Sequence, residues 1–130
     1  MKNAKLKLLA AITAVVAIPT MSTAQTAPQA NTCLFYEHFN YEGEQFGLHK
    51  GDMLSTSDKV APTAVYAGGL PGKNFVAPQW AGRVSSLKVP KGCMAIVYNG
   101  KDKAVGPRSD LSQFSAPYND KSVGFGCHCP

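Results

Sequence analysis

From Cys33 onward, the hydrophobic residues fall into short β-branched and aromatic groups, each ended by Gly, Pro, Asn or Asp. In the stretch SSLKV, Leu87 and Val89 alternate with Ser86 and Lys88, which is the period of a strand with one buried face. No helical period extends over ten residues of this region. The pattern predicts an all-β sandwich or barrel. The predicted strands are 33–39, 44–49, 83–89, 93–98 and 121–125.

The first 24 residues have a different pattern. Three lysines precede an apolar run that ends at Pro19, and Ser22 and Ala24 stand at the small-residue positions of a cleavage site. This order predicts a secretory signal peptide over 1–24, followed by a flexible polar leader over 25–32. The apolar run is shorter than the roughly twenty residues of a transmembrane helix. We therefore expect a secreted protein, periplasmic or extracellular, with no membrane association after cleavage.

Cleavage changes the charge of the chain. The full sequence has 13 Lys and Arg residues against 8 Asp and Glu. Without the three lysines of the signal, ten basic residues face eight acidic ones, so the net charge falls to +2. No dense basic patch with interleaved aromatic residues remains, which argues against nucleic acid as a partner. The remaining region, 33–130, has the size of one small domain that would gain stability from cross-links.

The sequence has four cysteines, all in the mature region: Cys33, Cys93, Cys127 and Cys129. An even number in a small exported chain predicts two disulfides, with three possible connectivities. Cys127 and Cys129 are separated by one residue and would share one face of a strand, so we expect each to pair elsewhere. A metal or redox site at this pair is the alternative, and it is disfavoured because it needs thiolates in an oxidising compartment.

The mature region contains an imperfect internal repeat. Residues 33–46 begin one half, and 93–106 begin the other sixty residues later. Each half then has a serine-bearing segment after an aromatic residue, at 80–89 and at 118–125. Such a repeat predicts two related four-strand units that share one core.

Two stretches of the first half resemble the βγ-crystallin family. Tyr36, Tyr41 and Gly43 match the aromatic-x4-aromatic-x-Gly signature of its Greek-key motif. The stretch that closes the motif has further matching residues, namely Trp80, Arg83, Ser85, Ser86, Val89 and Gly92. The resemblance covers residues 33–129. It implies a β-sandwich of two Greek-key motifs, motif one at 33–90 and motif two at 93–130.

The spacing of the two tyrosines also predicts a local geometry. Residues five apart in an extended strand face opposite sides, so a sharp fold between Tyr36 and Tyr41 is needed to bring their rings together. Gly43 would then adopt a backbone conformation that a side chain opposes. Trp80, which could stack on a sugar, is instead expected in the core, where burial of the ring contributes roughly 2–3 kcal/mol.

The second half departs from the family pattern. If Tyr98 takes the first aromatic position, Lys103 stands where the second aromatic residue belongs, and Gly106 falls one residue late. The first half also has extra length between Leu48 and Trp80. We expect the aromatic corner of the second motif to be absent or rebuilt.

The resemblance also implies a possible calcium site. Many microbial members of the family bind Ca²⁺ through an Asn/Asp-Asn/Asp-x-x-Ser/Thr-Ser loop, whose oxygen atoms suit a hard cation. In the first loop, AGRVSS, Ala81 and Gly82 replace the two residues that should supply side-chain oxygens. We expect no calcium site from this loop.

The second loop, YNDKSV, keeps more of the pattern. It contains Asn119, Asp120 and Ser122, but it is one residue short, and Val123 replaces the last serine. In the family the site is completed by the first hairpin of the other motif, which here brings in Glu37. One weak Ca²⁺ site is therefore a candidate, with no cofactor required, and an ordinary turn at the Asn-Asp pair is the alternative.

A second candidate site is the long connection 66–75, YAGGLPGKNF. Long connections in compact domains are often functional, and this one presents Tyr66, Leu70, Lys73 and Phe75. A family of secreted bacterial peptidase inhibitors shares the fold, so the resemblance implies a protein partner, such as a peptidase, as an alternative function. A structural insertion that covers a sheet edge is the other reading of this segment.

Catalysis finds little support in the sequence. His38, His49 and His128 are scattered, and neither an H-E-x-x-H nor a G-x-S-x-G motif occurs. We expect a monomeric, non-enzymatic binding or structural module.

Overall fold

The computed structural model describes residues 29–130. The predicted signal peptide and residues 25–28 of the leader lie outside this range. The strands are β1 (Thr32–His38), β2 (Glu42–His49), β3 (Met53–Ser55), β4 (Asn74–Val76), β5 (Ser86–Lys88), β6 (Met94–Tyr98) and β7 (Gly124–His128). A single helical turn, α1, spans Pro62–Val65, and 3₁₀ turns span Phe39–Tyr41 and Pro78–Trp80. No helix within the described range is long and apolar enough to cross a membrane.

The strands form two sheets, ordered β2-β1-β5 and β4-β3-β7-β6. The pairing is antiparallel except between β3 and β4. Each half of the chain lends a segment to the sheet of the other half. β3 of the first half pairs with β7, and Leu111 of the second half bridges to Leu87 in β5. This exchange is the interlocking of two Greek keys, and the predicted disulfide-bonded β-sandwich is confirmed.

The main core lies between the two sheets, and a cluster of aromatic rings forms part of it. Phe35 of β1 stacks on Phe46 of β2 with ring centres 4.9 Å apart, and Phe125 of β7 packs edge-on to Phe35 at 5.2 Å. Trp80 closes this cluster 4.7 Å from Phe46 and is only 7 % exposed. Edge-to-face packing of this kind adds stability beyond the apolar area that it buries.

Both predicted disulfides are present. Cys33 in β1 bonds to Cys127 in β7 and so ties one sheet to the other, while Cys93 bonds to Cys129. In the part of the chain that the structure describes, the only cluster of three or more His, Cys, Asp or Glu ligand atoms is Cys93, Cys127 and Cys129. All three sulfur atoms are in disulfides, so this cluster offers no thiolate to a metal.

The strand predicted at 121–125 was placed too early, since β7 runs from Gly124 to His128. Residues before it still belong to a turn, in which the Lys121 N–H donates to the Tyr118 carbonyl. The two glycines of β7 lowered its apparent strand propensity. Gly124 is required there by close packing, because a Cβ atom at this position would collide with Val65 of α1.

The extra length between Leu48 and Trp80 contains β3, α1 and β4, which the sequence did not predict. Part of this insertion packs on the outer face of the four-stranded sheet. Val65 is buried there against Met53 and Ile96, and Tyr66 and Leu70 are half-buried around them. The insertion therefore gives this sheet a second, smaller hydrophobic cluster on the side away from the main core.

Candidate functional site

The turn between β1 and β2 holds the two signature tyrosines together. Asn40 and Tyr41 have φ values of 59° and 62°, and Gly43 has a φ of 84°. The fold places the ring of Tyr36 5.8 Å from that of Tyr41, at an interplanar angle of 69°. Lys88 lies over the Tyr41 ring, with its Nζ atom 4.8 Å from the ring centre.

The two signature serines fasten this turn to the rest of the domain. The Ser86 hydroxyl donates to the His38 carbonyl and accepts the Tyr41 N–H at 3.0 Å. Ser85 donates from its hydroxyl to the Asp120 carboxylate at 2.9 Å. Both serines are buried, so their hydrogen bonds are shielded from water. They link the first hairpin to the turn of the second motif.

A cavity of about 530 Å³ lies where these segments meet. Three stretches that are distant in sequence contribute to its lining: the first hairpin, the loop after Trp80, and the turn before β7. The lining residues are Glu37, His38, Phe39, Asn40, Glu42, Gly82, Arg83, Ser85, Asn119 and Asp120. Three of the four predicted calcium ligands are thus brought to one cavity, and Ser122 is not among its lining residues.

Arg83 is the one arginine or lysine among the described residues that line the cavity. Its Nε and Nη2 atoms donate to Glu37 Oε2 at 3.2 and 3.0 Å, and Nη2 also donates to Glu44. Its guanidinium carbon lies 4.7 Å from the centre of the Trp80 ring. Donation from Arg83 holds the pKa of Glu37 below its usual value, and the same hydrogen bonds, made to Glu44 and Glu37, raise the pKa of Arg83. Glu37 is therefore ionised and already paired with a cation.

The turn of the second motif presents two further oxygen-bearing side chains. Asp120, at a φ of 55°, points one carboxylate oxygen at Ser85. Asn119 Oδ1 is buried and accepts no hydrogen bond within the described residues. By contrast, the buried Ser122 hydroxyl donates to the Tyr118 carbonyl at 2.9 Å, which is a local contact of the turn.

The predicted partner-binding segment is only partly exposed. Tyr66 stacks on His128 with ring centres 5.6 Å apart, and Leu70 packs into the smaller hydrophobic cluster. The Lys73 backbone N–H donates to the Asp52 carboxylate at 2.8 Å, and Lys73 is an exposed residue. Phe75, in the outermost strand β4, is 42 % exposed. The first part of the segment is thus a packed insertion, and its end exposes an apolar strand edge.

The three histidines lie at different strand ends. His38 ends β1, with Nε2 3.6 Å from Glu37; His49 ends β2 and shares a 3.0 Å hydrogen bond with Thr32; His128 ends β7. Within residues 29–130, no ligand cluster of His, Cys, Asp and Glu occurs outside the disulfides.

The ion pairs of Arg83 were not predicted from the sequence. Arg83 was part of the family resemblance, but its ion pairs with Glu37 and Glu44 span 46 and 39 residues. A single sequence carries no signal for such pairing, because opposite charges at these separations meet only when two loops are brought together by the fold.

The geometry defines a class of protein: a double Greek-key sandwich in which each motif contributes a segment to the other motif's sheet. Solved structures share this arrangement. A βγ-crystallin domain from Flavobacterium johnsoniae is 22 % identical with a TM-score of 0.52, over 75 % of this chain and 93 % of that one. The N-terminal domain of protein S is 16 % identical with a TM-score of 0.51, over 75 % and 96 %.

A variant βγ-crystallin domain from Clostridium beijerinckii is 23 % identical, with a TM-score of 0.50, over 75 % of this chain and 97 % of that one. No protein-family model and no curated protein matches the chain. The chain has the βγ-crystallin fold, as the resemblance in its first half predicted.

Proposed function

We propose that this chain is a non-enzymatic binding and structural module of βγ-crystallin fold that works outside the cytoplasm and binds one Ca²⁺ weakly in the 530 Å³ cavity. The observation that carries the proposal is Asn119 Oδ1, which is buried and lacks a hydrogen-bond partner within the described residues. A buried oxygen without a donor costs stability, and a cation bound there would remove that cost.

The neighbouring groups suit a hard cation. Asp120 supplies a carboxylate to the same cavity, and Glu37 supplies a second one. Ca²⁺ prefers carboxylate, amide and carbonyl oxygens, and it tolerates an irregular arrangement of them. The chemistry of Asn119, Asp120 and Glu37 therefore fits this ion.

Arg83 explains why the affinity should be low. Its guanidinium donates a hydrogen bond to Glu37, and Arg83 lines the same cavity. An incoming Ca²⁺ therefore has to compete with a positive charge that is already paired with Glu37. The Ser122 hydroxyl donates to the Tyr118 carbonyl, so it is not counted among the Ca²⁺ ligands. We expect a dissociation constant in the weak range of extracellular calcium modules, about 10⁻⁴–10⁻³ M.

The extracytoplasmic location rests on two features. Residues 1–24 have the pattern of a secretory signal, and the domain has two disulfides, Cys33–Cys127 and Cys93–Cys129. Disulfides persist mainly in oxidising compartments.

Thermal unfolding of the oxidised domain with and without Ca²⁺ tests the calcium site. At ten times the dissociation constant the native state gains about 1.4 kcal/mol, which raises Tm by roughly 5–10 °C for a domain of this size, and EDTA should reverse the shift. Asp120→Asn should reduce the shift. Asp102→Asn is the matched control, because Asp102 lies in another exposed turn, where it accepts a hydrogen bond from Asn99.

The competing charge gives a second measurement. Arg83→Gln should tighten Ca²⁺ binding because it removes a positive charge from the cavity and releases Glu37. Arg108→Gln, a change at an exposed arginine outside the cavity lining, should leave the affinity unchanged. Absence of any Tm shift at 10 mM Ca²⁺, about ten times the upper expected dissociation constant, in both the wild type and Arg83→Gln would exclude the site.

A second function, inhibition of a peptidase, is favoured by one observation. Phe75 and Val76 of the edge strand β4 are 42 and 53 % exposed, and an exposed edge can pair with an extended peptide. The test is inhibition of a panel of metallo- and serine peptidases by the mature domain. Failure to inhibit any of them at micromolar concentration would count heavily against this function.

A further inference from the structure

The insertion creates an apolar groove on the outer side of the four-stranded sheet. It has a volume of about 440 Å³ and shares no lining residue with the calcium cavity. Residues 63–67, in and after α1, form one side, and β6 with residues 103–106 forms the other. The volume lies within the range of about 300–1,000 Å³ that is typical of small-molecule sites.

The lining of the groove is chemically simple. Of its twelve lining residues, Lys103 is the only charged one, and most of the others are aliphatic or aromatic, including Val65, Ile96 and Val105. Lys103 is exposed, so its ammonium group can reach solvent while its stem borders the apolar surface. This pattern is complementary to a ligand with one apolar chain and one negative head group.

We propose that the groove binds a free single-chain carboxylate, such as a medium-chain fatty acid. The alkyl chain would lie against Val65, Ile96 and Val105, and the carboxylate would pair with the Lys103 ammonium. Apolar burial supplies most of the affinity, because an exposed ion pair contributes little. The ion pair instead selects the sign of the head group. This inference does not depend on calcium binding.

Chain length gives the first measurement. Octanoate, decanoate and dodecanoate are titrated into the mature, oxidised domain by calorimetry, each below its micelle concentration. Every added methylene that enters the groove should lower Kd about fourfold. A Kd that does not change with chain length would overturn the proposal, since it would mean that no alkyl chain is buried.

Reversal of the charge at position 103 gives the second measurement. Lys103→Glu should weaken decanoate binding about fivefold and strengthen binding of decyltrimethylammonium, which carries the opposite charge on the same chain. Lys73→Glu is the matched control, because Lys73 is an exposed lysine of the insertion, whereas it does not line the groove as Lys103 does. Equal effects of the two reversals would refute the role of Lys103.

A third variant tests the location without changing charge. Ala64 is an exposed residue of α1 that lines the groove, so Ala64→Trp should fill part of it and weaken decanoate binding with little effect on Tm. Undiminished binding in a folded Ala64→Trp domain would place the ligand elsewhere and overturn the assignment.

A membrane surface also combines alkyl chains with negative head groups, so binding to vesicles is measured in a separate experiment. The domain is sedimented with phosphatidylglycerol vesicles at the salt concentration of the calorimetry. A free carboxylate as ligand predicts no co-sedimentation. Co-sedimentation that Lys103→Glu abolishes and Lys73→Glu does not would overturn the proposal in favour of a lipid surface.

Discussion

Gly43 offers the most direct test of the hairpin geometry. Its φ is 84°, in the left-handed region, and a Cβ atom added there would lie 2.6 Å from His38 Cδ2 and 3.0 Å from Glu37 Cβ. The His38 side chain is 62 % exposed and can move away. Glu37 Cβ is attached to the backbone of β1 and cannot move without shifting the strand. Gly43→Ala therefore carries a conformational cost and a packing cost.

A second glycine separates the two costs. Gly92 has a φ of 87°, and a Cβ atom there would meet no atom within 4 Å. Gly92→Ala should cost only the left-handed conformation, roughly 1–2 kcal/mol. Gly43→Ala should cost about 2–4 kcal/mol once the close contacts are added. The lower entropy of the unfolded chain affects both variants alike, so it cancels in their difference.

The assay is urea denaturation at neutral pH, followed by the fluorescence of the single tryptophan. Trp80 is a suitable reporter because it is only 7 % exposed and lies in the main core. A difference of about 1–2 kcal/mol between the variants corresponds to roughly 4–16 °C in Tm for a domain of this size. If Gly43→Ala loses no more stability than Gly92→Ala, the close approach to Glu37 and His38 does not constrain position 43.

Two further predictions concern the disulfides and the acid stability of the domain. Replacement of Cys33 and Cys127 by serine opens a 94-residue connection, and replacement of Cys93 and Cys129 opens one of 36. For each loop taken alone, chain entropy predicts losses of about 4.7 and 3.8 kcal/mol, so urea midpoints should fall further for the first pair; the reverse order would contradict the entropic account. The pKa of Glu37 is lowered from 4.5 in the folded state, so its stabilising effect is complete above that value and is lost as the pH falls through the folded pKa. The difference in unfolding free energy between wild type and Glu37→Gln should therefore shrink on acidification, and a pH-independent difference would contradict it.

Several features followed from local sequence patterns. The strands around 33–39 and 93–98 were found because their β-branched and aromatic residues are contiguous along the chain. The presence of two disulfides followed from an even number of cysteines in a small chain with a predicted secretory signal. The resemblance at Tyr36, Tyr41 and Gly43 predicted the double Greek-key fold, since a tight turn imposes its requirements on residues a few positions apart.

The insertion and the late start of β7 were not predictable in this way. β4 is an exposed three-residue strand, and it is defined by parallel pairing with β3 about twenty residues earlier. Gly124 of β7 is required because Val65 of α1 approaches it closely, a requirement set by an element far away in the chain. Strand propensity and hydrophobic periodicity depend on residues that are neighbours in the sequence. They therefore do not reveal contacts between distant segments.

The sequence thus determined the fold type and the residue types available for a calcium site, while the tertiary structure decided how those residues are used. It placed Arg83 on Glu37, left Asn119 Oδ1 buried without a partner in the described residues, and fixed the pairing of the cysteines. It also brought Lys103 to the rim of an apolar groove. Each of these outcomes depends on contacts between distant segments, and such contacts exist only once the two sheets have packed.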